Sequence, residues 1–151
     1  MIQKPVNSKE TKQIFSLVEN QWGFKPDFGY QFLKCNDKLH IVSRDIRNID
    51  LGKLRINSIG LYVAELKNNQ VRLTVEGSQL IGPYATKNVV DLPKDQLKLW
   101  LRGEEVPCNE GDGFVIVKHN NDYFGCGKIK EGRIINYLPK TRRLNAIPDS
   151  Q

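Results

Sequence analysis

Cys108, His119 and Cys126 are the side chains of this sequence with the widest chemical repertoire, as metal ligands or as a thiol nucleophile beside an imidazole base. A metal site needs such residues clustered at ligand spacing, and no C-x-x-C pair occurs anywhere in the chain. Nucleophilic catalysis needs a third, orienting group and an oxyanion hole, and nothing in the spacing supplies either. The sparse pattern reads as one buried thiol and two incidental surface groups, with no metal, no cofactor and no catalytic residue. Two glycine pairs, Gly111-Asp112-Gly113 and Gly125-Cys126-Gly127, fail as phosphate loops because neither opens a helix. Two readings stay open for them: bulges or corners of a sheet, or places where a ligand's backbone comes close.

A second kind of chemistry lies in the basic residues of the C-terminal stretch. Gly127-Lys128-Ile129-Lys130 leads through Arg133 and Tyr137 to Lys140-Thr141-Arg142-Arg143. Strand alternation puts Lys128 and Lys130 on one face, opposite Ile129. Pro139 fixes the direction of a tail expected to fray beyond it. Cations on one face and on a tail can track a phosphate backbone, so Lys128, Lys130, Arg133, Lys140, Arg142 and Arg143 are the candidate RNA-contact residues. The competing reading is a solvated charge run.

Composition leaves the two readings evenly balanced. The formal charge is +6 and the isoelectric point about 9.3, which suits a polyanionic partner. The excess is uneven: residues 114–151 hold seven basic against three acidic side chains. Three widely spaced cysteines make a poor disulfide framework and point to a reducing compartment. Met1 to Glu10 lacks the apolar core of a signal peptide, and no 18-residue apolar run occurs, so a cytoplasmic protein without membrane partners is expected.

The elements that must position these residues follow from periodicity. Ile14, Phe15, Val18 and Trp22 recur at helical spacing over 9–22, with Asn7 as cap and Gly23 as stop. Tyr30, Phe32, Leu39 and Ile41 read as two strands turning at Asn36-Asp37. A short helix is expected from Ser43 to Leu51, with Ile46 and Ile49 inward and Gly52 closing it. Ile59, Leu61 and Val63 start another strand, and Asn68-Asn69 turns it into Val71, Leu73 and Val75. Gly77, Gly82 and Pro83 mark 76–87 as the domain junction. Beyond it come a short strand from Asn88 to Leu92 and a helix after Pro93 that buries Leu97, Trp100 and Leu101. Strands at Phe114–Val117, Tyr123–Ile129 and Ile134–Leu138 complete a small closed barrel.

Tyr30 to Ser43 (YQFLKCNDKLHIVS) and Val71 to Ala85 (VRLTVEGSQLIGPYA), with Arg72, Leu73, Val75, Leu80, Pro83, Tyr84 and Ala85 in matching places, resemble the Nip-seven family of ribosome-biogenesis proteins. Leu99 to Val106 (LWLRGEEV), Gly113 to Val117 (GFVIV), Gly125 to Lys128 (GCGK) and Tyr137 to Leu144 (YLPKTRRL) are similar, in the same order, to the PUA-like tail of RsmF-type rRNA cytosine-5 methyltransferases. The resemblance implies an α+β protein: residues 1–86 a pre-PUA α/β domain on an antiparallel sheet, residues 87–151 a PUA-like β pseudo-barrel. It also implies non-catalytic RNA binding, because the glycine loop and two catalytic cysteines of the methyltransferases have no counterpart here. Ribosomal RNA is the expected partner and tRNA the second, with ribosome-assembly or RNA-modification proteins docking on the N-terminal domain. Two rivals stand beside this: an RNA-recruiting subunit for a separately encoded methyltransferase, and a protein–protein adaptor.

Overall fold

Asn7 opens the first helix by accepting the Glu10 N–H on its side-chain oxygen at 2.8 Å. Helix α1 (Ser8–Trp22) ends at Gly23, whose N–H still reaches the Glu19 carbonyl and whose φ of 80° then turns the chain out of the helix. Ile14, Val18 and Trp22, four residues apart, are its buried stripe. The computed structural model describes residues 3–27, 29–43, 60–109 and 111–144. The helix and strand start expected over 43–59, with Ile46, Ile49, Gly52 and Ile59, lie outside the described residues apart from Ser43, which ends a strand.

The stripe of α1 packs with the first sheet, whose five strands run in sequence order and all antiparallel: β1 (Lys4–Pro5), β2 (Tyr30–Cys35), β3 (Lys38–Ser43), β4 (Leu61–Lys67) and β5 (Gln70–Leu73). Asn36 turns β2 into β3 at φ 53°. Asn68 and Asn69, at φ 54° and 58°, form the two-residue hairpin between β4 and β5.

The alternation Val71, Leu73, Val75 predicts a strand reaching Glu76, and the structure corrects this. β5 stops at Leu73 because the Thr74 hydroxyl accepts the Gly77 N–H at 3.0 Å and starts helix α2 (Val75–Ile81). The stretch read as a glycine-marked junction is therefore a helix followed by a 3-10 turn (Gly82–Tyr84). Val75, Gly77, Ser78 and Ile81 are buried. Gly77 is not there for a loop. A Cβ at that position would overlap the Val63 carbonyl, so its absence lets α2 lie directly on β4.

The second sheet has the order β6-β8-β9-β10-β7, from β6 (Val89–Asp91), β7 (Val106–Pro107), β8 (Gly113–His119), β9 (Asp122–Lys130) and β10 (Arg133–Asn136). β6 joins β8 in parallel, and the other pairs are antiparallel. β6 and β7 are its edges, and no ladder joins them among the described residues. The expected closed barrel is thus a curled half-barrel, with helix α3 (Lys94–Leu101) packed on it.

Trp100 is the anchor of α3, fully buried, with its indole N–H donating to the Phe124 carbonyl at 3.0 Å. Leu97 and Leu101, expected beside it in the core, stay partly exposed, and Leu99 joins the core edge instead. The Trp100 ring reaches β9 at Gly127, where a Cβ would come within 2.8 Å of it and 2.6 Å of the Ile135 carbonyl. What crowds that strand glycine is the protein itself, the Ile134 side chain and the Trp100 ring, and not a ligand's backbone.

One buried cluster runs through both sheets. Ile116 of β8 and Cys126 of β9 belong to the same core as Ile14, Leu73 and Ile81. The 3-10 turn is seated on the Tyr123 ring, which fills the space that a side chain at Gly82 would need.

Candidate nucleic-acid interface

The six basic residues singled out from the sequence do not form one patch of free charge. Lys128 lies on β9 with its ammonium 5.4 Å from the centre of the Phe114 ring on β8. Lys130 and Arg133 face each other at the β9–β10 turn. Arg133 is tied to Glu105, by an ion pair at 3.4 Å and by a hydrogen bond to its carbonyl at 3.0 Å. Arg142 pairs with Glu76 of α2 at 2.6 Å. Arg143 lies over Gly103 and donates from Nε to the Leu138 carbonyl at 2.8 Å. The tail expected to fray after Pro139 is docked as far as Leu144, whose N–H reaches the Leu101 carbonyl at 2.8 Å. Among the described residues, the Lys130 and Lys140 side chains have no ion pair or hydrogen-bonding partner and stand exposed.

Lys128 also belongs to a band that sequence reasoning did not assemble, because its other members come from β3, β4, β5 and β8 and from Tyr137. Lys38 of β3 holds its ammonium 5.5 Å from the Tyr62 ring of β4. His40 stacks on that ring at 5.2 Å. Arg72 of β5 forms an ion pair with Glu65 of β4 and places its guanidinium carbon 4.7 Å from the centre of the Tyr137 ring, just past β10. Tyr137 lies 6.2 Å from Phe114, which carries Lys128. Cations and π-faces therefore alternate from the first sheet to the second. The only sequence signal would have been the cross-strand register, Glu65 opposite Arg72 and Phe114 opposite Lys128.

The band borders a cleft of about 110 Å³ at the seam of the two sheets, lined by Tyr62, Arg72, Thr74, Val75, Gly125 and Tyr137 among others. The β9–β10 ladder ends at Asn136 opposite Gly127, so the cleft opens where β10 leaves β9. Burial, with the Glu65 carboxylate nearby, raises the Tyr62 hydroxyl above its usual range, against the opposing pull of Arg72.

Of the residues weighed for nucleophilic or metal chemistry, Cys126 lines this cleft beside Arg72 and Val75, whereas Cys108 and His119 are not part of its lining. Burial pushes the Cys126 thiol up to about 12, far from the thiolate a nucleophile requires. His119 spends Nδ1 on the Leu92 carbonyl at 2.8 Å, and lies at the β8 end paired with Asp122, whereas Cys126 pairs with Ile116. Cys108 is half-buried beyond β7.

Known proteins share parts of this architecture. Residues 87–144 match the family profile described as "Methyltransferase RsmF PUA domain". Proteins described as "Ribosomal RNA small subunit methyltransferase F" are similar over most of the chain. That of Aeromonas salmonicida is 30% identical over 138 residues, which is 90% of this chain and 28% of that protein. That of Vibrio campbellii is 30% identical over 142 residues, 89% of this chain and 29% of that protein. The chain spans under a third of the length of these relatives. The solved structure of hypothetical protein PH0734.1 from Pyrococcus horikoshii superposes with a TM-score of 0.55 at 12% identity, over 89% of this chain and 83% of that one. At that identity it supports the shared α+β, half-barrel fold and nothing beyond it.

Proposed function

From an RsmF-like PUA tail at residues 87–144, we propose that the chain binds RNA, and that the RNA is ribosomal and bound in connection with its modification. The profile match carries this reading, and the band of lysines and aromatic rings across both sheets gives it a physical basis. Phosphate contacts fall to Lys38, Lys128, Lys130 and Lys140, whose ammonium groups face solvent or rest on a ring face. Arg133, Arg142 and Arg143 act mainly as braces, because each already has an acceptor within the protein. Aromatic and guanidinium planes serve unpaired bases.

Methyl transfer is not assigned to these residues. The matched region is less than a third of the methyltransferases, and Cys126 is held as a neutral core thiol. The rival carried over from the sequence is an RNA-recruiting subunit for a separately encoded methyltransferase. The likeness of the N-terminal half to the Nip-seven family supports a protein-docking role for the first sheet. Crosslinking the protein to RNA in cells and sequencing the bound fragments tests the reading. It predicts enrichment of small-subunit ribosomal RNA over messenger RNA and tRNA. Absence of any crosslinked RNA contradicts it.

A further inference from the structure

We infer that the cleft at the seam of the two sheets takes one unpaired nucleobase of a single-stranded RNA, stacked against the Arg72 guanidinium that Glu65 and Tyr137 hold in place. The inference rests on the RNA-binding reading and adds the form of RNA and the point at which a base is held.

The cleft's electrostatics select a base over a phosphate. Arg72 is charge-matched by Glu65, and Arg142, anchored on Glu76 of the neighbouring α2, is matched too, so little uncompensated positive charge remains at the cleft itself. What remains is planar and apolar surface: Tyr62, the guanidinium, Val75, Leu138 and Pro139. Single-stranded RNA is recognised by such surfaces, because splayed bases stack on aromatic rings and on guanidinium planes. The Arg72 side chain is 38% exposed, so one side of it faces outward while the other covers Tyr137.

Size agrees with this. A volume of about 110 Å³ is of the order of the cavity of roughly 150 Å³ that accepts benzene, and the cleft is open on one side, so a six-membered ring can enter edge-first. The ends of the band supply what a base lacks. Lys38 lies on the first sheet and Lys128 on the second, one to either side of Arg72 and Tyr137, where phosphates flanking an inserted nucleotide can reach them. A duplex keeps its base faces stacked and cannot use this site.

The test compares a fluorescein-labelled 12-nucleotide single-stranded RNA of mixed sequence with a 12-base-pair RNA duplex, by anisotropy on the full chain at one salt concentration. Arg72→Lys keeps the charge and the Glu65 pair but removes the plane. It is expected to weaken single-strand binding at least about fivefold, the low end of what one base stack contributes, with duplex binding changed less than about twofold. Tyr137→Leu should do the same and Tyr137→Phe should retain wild-type affinity, each variant being checked by its thermal midpoint. Unchanged single-strand binding by both Arg72→Lys and Tyr137→Leu overturns the base site and leaves the RNA-binding reading standing. Equal losses on single strand and duplex also overturn it, since that is the mark of a purely structural or charge effect. A wild-type chain that binds neither RNA overturns both.

Discussion

Arg72 and Tyr137 meet across the seam of the two sheets, guanidinium carbon 4.7 Å from ring centre, so that the last strand of the first sheet and the exit of the second share one contact. The pair does not act alone. α2 lies between the sheets with Val75 close to Gly125, and Ile116 and Cys126 are packed into the same core as Leu73 and Ile81. The two sheets thus have separate ladders and share one core.

The first prediction concerns that shared core. A fragment of residues 87–151 lacks α2 and β5, and with them the packing they provide against β8 and β9. At about 65 residues it is already near the lower limit for an independent domain. Its thermal transition, followed by circular dichroism, should be broad or absent under conditions where the full chain melts cooperatively. A fragment as stable as the full chain would show that the seam contributes nothing to folding.

Trp100 is the second point of leverage. Its ring is fully buried, fills the place of a missing Cβ at Gly127 and makes the only indole hydrogen bond among the described residues, to Phe124. Trp100→Ala should cost about 3–5 kcal/mol in urea unfolding, the range for emptying a large aromatic site. Gly127→Ala should destabilise too, because ring and strand cannot both keep their places. A loss below about 1 kcal/mol for Trp100→Ala would mean that α3 is loosely held.

Much of this framework was legible in the residue order, and the failures have physical causes. The helix at 9–22 was readable because cap, stripe and stop all agreed at Asn7, Ile14–Val18–Trp22 and Gly23. The hairpin at Asn68-Asn69 was readable because only a few residue types tolerate φ near 55° twice in succession. Helix α2 was missed because Gly77 and Gly82 look like loop residues until the Val63 carbonyl and the Tyr123 ring beside them are known. The candidate site suffered the same limit. A run of basic residues shows where charge lies along the chain and not which groups already have an acceptor within the protein, as Arg133, Arg142 and Arg143 do.

The C-terminal tail gives the third prediction. Arg143→Ala removes the hydrogen bond to the Leu138 carbonyl and the cover over Gly103, and should cost about 1 kcal/mol. Lys140→Ala, at an exposed side chain without a partner among the described residues, should leave stability within about 0.5 kcal/mol of wild type. Chemical denaturation of the two variants side by side checks this. Equal effects would mean that the tail is not docked.

His40 makes the fourth. It is 8% exposed, lies against Tyr62, and its Nδ1 has no hydrogen-bond partner among the described residues. Burial, assisted by Lys38, lowers its pKa below the ordinary 6.5. The unfolded chain therefore binds this proton more readily than the folded one. Stability is retained above about pH 6.5 and falls as the pH drops from there through the folded-state pKa. Urea midpoints at pH 7.5 and 5.5 should show that loss in the wild type and a smaller one in His40→Phe, which keeps a ring on Tyr62. Identical pH dependence in the two would assign the effect to other groups.

The central claim is that this surface holds RNA through phosphates as well as bases, and filter binding of a single-stranded ribosomal RNA fragment at two salt concentrations addresses it most directly. Log affinity should fall linearly with log salt, and replacing Lys128, Lys130 and Lys140 with Ala should flatten that slope by about 0.7 for each phosphate no longer neutralised. Binding that ignores salt, or a triple variant with the wild-type affinity and slope, would contradict the account.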